Sequence, residues 1–140
     1  MSFAKRVVLD TSTLISAALR TDSTPRQALL TAMASATVCA SPATLAELEQ
    51  VLMRDKFDRY IDQASRREFL DLYRRHTRLF NVTEVEEKTL PQGCRDPRDN
   101  KFLALALHCS ADALVSSDED LLVLNPYQGI QILTPKEFLQ

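Results

Sequence analysis

Arg6-Val7-Val8-Leu9-Asp10-Thr11-Ser12 decides the fold. Three apolar residues between a cation and an acid are too few for a helical stripe, and residues 6–10 read as a short buried strand. The next residues, 12–19 (STLISAAL), read as a helix that starts at once, with Ser12 in a cap position. A strand that ends on a carboxylate and turns straight into a helix is the first half of an alternating α/β unit. The same arrangement returns at Ala113-Leu114-Val115-Ser116-Ser117-Asp118.

Working outward, a helix is expected at about 25–35, with Pro25 near its first turn. Residues 37–40 (TVCA) follow as a strand, and Ser41-Pro42 opens a helix over about 42–54 with Leu45, Leu48 and Leu52 as its apolar stripe. Another helix is expected at about 64–77, then a strand at 79–83 (LFNVT). Asp96-Pro97 opens a helix through about 109, followed by strand 113–117, a short helix near 119–123, strand 130–133 and a last short helix from Pro135. Stretch 84–95 is the least regular and reads as a connection. Strands alternate with helices throughout, which favours a parallel sheet covered on both faces. At 140 residues, without a repeat, low-complexity segment or linker, residues 1–140 are expected to form a single domain.

Composition excludes several function classes. Gly93 and Gly129 are the only glycines, so neither G-x-G-x-x-G nor a P-loop can be written. A net charge of −2 means that nucleic-acid contact has to be local or bridged by metal. Cys39, Cys94 and Cys109 lack metal-type spacing and lie in or beside apolar runs, so they read as buried, inert thiols. Their odd number, without a signal peptide, points to a reducing cytoplasm. No apolar run approaches the roughly 20 residues of a membrane span.

The chemistry lies in the acids. Asp10 and Asp118 end strands, and in an open parallel sheet ligands bind beyond those ends. Asp99 sits at a helix start, which faces the same rim. Each acid also has an ordinary explanation. Asp10 and Asp118 can cap helices, Asp96 can cap a helix with Pro97 first in line, and Asp99 and Asp120 suit a first turn. Capping, however, does not require all caps to share one edge. Glu47 is weaker: it aligns with Thr44 and Val51, whereas Glu49 lies nearer the leucine stripe. Carboxylates gathered from distant segments make a hard-oxygen site for Mg²⁺ or Mn²⁺. His76 and His108 have no partner motif and read as surface or packing residues. The arginines of segment 54–78 are interleaved with acids, so that segment reads as a solvated helical surface. Arg98 and Lys101 flank the acids, where they could meet phosphates or balance charge.

Taken together, Val7-Val8-Leu9-Asp10-Thr11-Ser12, Ser41-Pro42-Ala43-Thr44-Leu45-Ala46-Glu47-Leu48, Arg95-Asp96-Pro97-Arg98-Asp99-Asn100-Lys101-Phe102-Leu103-Ala104-Leu105-Ala106 and Ala111 through Leu122 resemble the PIN domain, a family of metal-dependent ribonucleases. Gly129 through Leu139 is similar to that family's last strand and helix. The resemblance is nearest to toxin components of bacterial toxin–antitoxin systems. It implies a three-layer α/β/α sandwich with a central, mostly parallel sheet. It also implies an acidic quartet, Asp10, Glu47, Asp99 and Asp118, holding Mg²⁺ or Mn²⁺. Asp96 and Asp120 would support the quartet, Ser12 would hydrogen-bond near the metal, and Arg98 and Lys101 would approach substrate. Two departures stand out: Ser12 is not the commoner Asn, and Ser117 replaces the Gly that often precedes the last aspartate. The implied activity is endoribonucleolytic hydrolysis, with RNA as substrate, an antitoxin protein and a homodimer as partners, and no membrane. The competing readings are a weakened PIN scaffold that binds RNA or a protein, and an aspartyl-phosphate phosphatase. The phosphatase would need an Asp where Ser12 stands.

Overall fold

The computed structural model describes residues 5–140. Five parallel strands form one sheet in the order β3-β2-β1-β4-β5, with β1 Arg6–Leu9, β2 Thr37–Ala40, β3 Thr77–Leu79, β4 Ala113–Val115 and β5 Gln131–Leu133. The helices are α1 Thr11–Leu19, α2 Thr24–Ser35, α3 Pro42–Leu52, α4 Gln63–His76, α5 Glu84–Lys88, α6 Asn100–His108, α7 Glu119–Leu122 and α8 Pro135–Phe138, with 3-10 turns at Asp55–Phe57 and Pro97–Asp99.

Alternation along the strands builds a core on each face of the sheet. Val7, Leu9, Val38 and Val115 point to one side, where they meet Leu14, Leu29, Leu48, Leu52 and Leu70 from α1 to α4. Val8, Cys39, Leu114 and Ile132 point to the other, against Phe102, Leu103 and Leu105 of α6 and Leu121 of α7. The result is the expected α/β/α sandwich. Leu114 is fully buried, and truncating it to alanine is expected to cost about 2–5 kcal/mol. Ser41 closes a capping box on α3: its Oγ accepts from Thr44 N, and its own N–H donates to Thr44 Oγ1 at 2.9 Å.

Four sequence expectations need correction. Helix α1 starts at Thr11 with Asp10 as its cap, so Ser12 lies inside the helix and not in a cap position. The third strand is Thr77–Leu79 and not 79–83; it follows α4 without a break and pairs Val38 with Thr77. As an edge strand it needs no buried alternation, so apolar content misplaced it. Phe80 donates once more to the Ala40 carbonyl, and its ring packs against the second core under the Arg6 and Arg78 guanidinium groups. Within 84–95, read as a connection, lies α5, capped by Thr83 accepting from Glu86 N. The segment 54–78 is not wholly a solvated surface, because Arg66 is fully buried. Its Nη1 donates to the carbonyls of Leu52 (2.9 Å) and Arg54 (3.1 Å), its Nε to that of Ile61 (3.1 Å), and its Nη2 pairs with Asp58. One guanidinium therefore ties down the loop between α3 and α4.

Candidate active site

The strand order locates a crevice. The chain builds β1, β2 and β3 in one direction, then returns to add β4 and β5 on the other side of β1. Strands β1 and β4 are hydrogen-bonded neighbours at this reversal, and helices following them diverge, leaving space beyond their carboxyl ends. Asp10 leaves β1 there and Asp118 leaves β4.

Asp10 is buried and caps α1 from extended backbone, with Oδ1 accepting from Thr13 N at 3.0 Å and Ser12 Oγ at 3.3 Å. Its Oδ2 accepts from Ser116 Oγ at 2.5 Å. The same Ser116 hydroxyl accepts from Asp118 N at 2.9 Å, so one buried serine couples the two strand ends. Asp118 in turn caps α7, accepting from Asp120 N at 2.9 Å. Capping and clustering are thus not rival explanations: Asp10, Asp96 and Asp118 all cap, and all face one cavity of about 540 Å³. Asp99, Glu47, Ser12 and Arg98 line that cavity too.

Glu47 enters from α3, on the row of Thr44 and Val51. It accepts from Thr11 Oγ1 and, at 2.7 Å, from Lys101 Nζ of α6. The lysine also donates to the Arg98 carbonyl at 2.6 Å and is largely enclosed, so its ammonium is held by Glu47 and does not point freely to solvent. Arg98 is 84% exposed at the rim and chelates Asp96, with Nε to Oδ1 at 3.1 Å and Nη2 to Oδ2 at 2.9 Å. That guanidinium holds the Asp96 carboxyl below its ordinary range. Asp120 does not line the cavity; its carbonyl accepts from Cys94 Sγ at 3.2 Å.

Electrostatics single out Asp99. Burial, and then the Asp118 carboxylate within hydrogen-bonding reach, push its pKa up to about 7, with Asp96 and Asp10 adding repulsion. Burial likewise raises Asp10 above its ordinary value against the pull of hydrogen bonds from Ser116, Thr13 and Ser12. Among the described residues, no three Asp, Glu, His or Cys side chains already stand close enough to cage an ion, in keeping with Glu47 being turned to Lys101. The donor set nevertheless fits a hard divalent cation. It is all oxygen, it is drawn from four segments, and its Asp99 and Asp118 carboxylates repel one another.

Two site residues were not picked out from sequence: Ser116, which bridges Asp10 and Asp118, and Thr11, which steadies Glu47. A hydroxyl carries no positional signature, although Ser116 directly follows a buried strand. The three cysteines are buried, as expected. His108 does find a partner, Glu86, with Nδ1 at 2.6 Å from Oε2, but on the outer surface.

The class that fold and site define is a parallel α/β sandwich with a carboxylate-lined crevice at its switch point. The family model for the PIN domain matches residues 6–120, and the chain belongs to the PIN domain family. Among solved structures, it is similar to VapBC2 from Rickettsia felis bound to a promoter DNA fragment (16% identity, 91% of this chain and 96% of that one, TM-score 0.60). It is also similar to PAE2754 from Pyrobaculum aerophilum (15% identity, 96% and 88% covered, TM-score 0.61). A third is Mycobacterium tuberculosis VapC20, a sarcin-ricin-loop-cleaving toxin (14% identity, 85% and 95% covered, TM-score 0.58). At these identities the likeness is one of fold. No curated protein matches the chain at a significant level.

Proposed function

We propose that this domain is an endoribonuclease that hydrolyses RNA phosphodiester bonds with Mg²⁺ or Mn²⁺, and that it is the toxin of a toxin–antitoxin pair. The observation that carries the reading is the convergence of Asp10, Glu47, Asp99 and Asp118, from four segments of the chain, on one cavity. Membership of the PIN family supports the nuclease, and the toxin–antitoxin complexes among similar folds support a protein partner.

Asp10, Glu47, Asp99 and Asp118 would hold the ion. When bound, it supplies positive charge at the phosphoryl group and lowers the pKa of water. The chain does the positioning. Ser116 and Thr13 fix the Asp10 carboxylate, and Thr11 fixes Glu47. Asp96, engaged by Arg98, keeps that guanidinium at the mouth, where it can meet a phosphate. Asp96 and Asp120 remain supporting acids outside the quartet. A cytoplasmic setting fits the three unpaired, buried thiols. A homodimer is part of the proposal by family resemblance alone.

A second reading has one observation in its favour. Glu47 is already neutralised by Lys101, as in a weakened PIN scaffold that binds RNA or a protein without cutting. Purified protein incubated with structured and unstructured RNAs under Mg²⁺, Mn²⁺ or EDTA, beside Asp10→Asn, separates the two. Metal-dependent cleavage lost in the variant establishes the nuclease. A folded protein that binds RNA but never cuts it establishes the scaffold.

A further inference from the structure

The acidic cleft does not end at the carboxylates. A second cavity, of about 580 Å³, shares Ile15, Ser16 and Phe57 with it, so the two form one continuous groove. The chemistry changes along the way. No carboxylate lines the second cavity; its walls are Leu19, Ser23, Pro25 and the shared residues, with Arg20 and Tyr60 at its edge. Tyr60 is 65% exposed and is the one aromatic residue lining this cavity besides the shared Phe57. The Arg59 guanidinium lies 5.4 Å from its centroid. Arg54 lines the acidic cavity beside the shared Phe57.

Exposure here does not mean looseness. Tyr60, Phe57 and Arg54 belong to the loop that Arg66 ties down, through the carbonyls of Leu52, Arg54 and Ile61. Tyr60 N also donates to the Phe57 carbonyl at 3.0 Å. The backbone that carries the ring is therefore held in place, and that part of the ordering cost is met on folding, not on binding.

We propose that the second cavity is a base-stacking subsite for single-stranded RNA. An unpaired nucleotide adjacent to the bond held at the acidic cleft lies on Tyr60, with its phosphate toward Arg20. Three features favour this occupant over a peptide. The groove is continuous with the carboxylate cleft, its charge is positive where the cleft's is negative, and an aromatic face beside arginines is the pairing that holds unstacked bases. The subsite rests on the nuclease reading for its orientation, but its test does not depend on cleavage.

The chain has no tryptophan, so Tyr60→Trp creates a single fluorescent reporter at the subsite. In an Asp10→Asn background, titration with an unpaired RNA dodecamer is expected to quench that emission saturably. A fully paired hairpin, or heparin as a polyanion without bases, is expected to leave it nearly unchanged. In anisotropy measurements with the same dodecamer, Tyr60→Ala should weaken binding about tenfold, within the range of one lost base stack, while Tyr60→Phe keeps wild-type affinity. Several results overturn the subsite: equal binding by wild type and Tyr60→Ala, quenching by heparin as strong as by RNA, or no RNA binding by the folded protein. A fourth is loss, in Tyr60→Ala, of binding to a polypeptide antitoxin with RNA binding unaltered, which makes the groove a protein-docking face. The two proposals fail separately. Quenching by RNA without any metal-dependent cleavage leaves the subsite and removes the nuclease; cleavage with no effect of Tyr60→Ala does the reverse.

Discussion

Lys101 Nζ lies 2.7 Å from Glu47 Oε1, so a cation from α6 already occupies the charge of an acid expected to bind metal. Both side chains are largely enclosed, and the pair behaves as a latch. A divalent ion recruiting Glu47 has to compete with the ammonium. Lys101→Met removes the competitor while keeping most of the hydrocarbon stem. The midpoint of Mg²⁺ or Mn²⁺ binding by calorimetry is expected to fall about tenfold, equivalent to about 1.4 kcal/mol. An unchanged midpoint means that Glu47 is not a ligand.

Asp99 makes the metal-free fold sensitive to pH, and the sign is opposite to that of a salt-bridged carboxylate. An unfolded chain releases this proton near the ordinary 3.8, whereas the folded protein keeps it to about 7. Between those values the native state holds more protons, so stability falls as pH rises through the window. Asp99→Asn should therefore melt higher than wild type at pH 7.5 without metal, and the gap should close below pH 4. Because Asp99 and Asp118 interact, the observed step belongs to the pair. Equal melting temperatures at both pH values contradict the reading of Asp99 and Asp118 as a coupled pair.

The same proton links metal binding to pH. An ion at Asp99 displaces it, so Mg²⁺ or Mn²⁺ should bind more tightly as pH rises toward 7 and level off above. Calorimetry in buffers of different ionisation enthalpy reads the protons released. Release that does not decline above neutrality points to a different linked group.

Ser116 joins two acids through one hydroxyl. Ser116→Ala leaves Asp10 Oδ2 without its donor and Asp118 N–H without its acceptor, in a fully buried position. The expected cost is about 1–3 kcal/mol of stability by chemical denaturation, with a larger proportional loss of cleavage because both carboxylates lose their orientation. Full activity in Ser116→Ala would separate the hydroxyl from the site.

Arg66 is irreplaceable by lysine, since a point charge cannot serve three carbonyls and a carboxylate at once. Arg66→Lys is expected to lose about 3 kcal/mol, and Arg66→Leu at least as much, because the carbonyls of Leu52, Arg54 and Ile61 would be stranded. Denaturant midpoints test this directly. A near-neutral Arg66→Leu would show that the loop finds other donors.

What could be read in advance follows burial. Strands β1, β2 and β4 are covered on both faces, and their apolar runs stand out; Asp10 and Asp118 then follow from position alone. Edge strand β3 carries no such run, and the apolar Leu79-Phe80 pulled the expectation past its end. Glu47 was visible only through the family pattern, because the leucine stripe of α3 aims at the core and Glu47 lies on a different face of that helix. Arg66 was invisible for a different reason. Its partners are backbone carbonyls up to 14 residues distant, and no side-chain pattern announces a carbonyl.

The Arg66 anchor has one more consequence. A guanidinium stays charged at any physiological pH and carbonyls do not titrate, so three of its four tethers are indifferent to acid. The cleft a few residues away changes protonation near neutrality. If the proposed nuclease and its stacking subsite hold, mild acidification should silence the carboxylates while the adjoining wall keeps its shape, so that RNA binding outlasts cleavage.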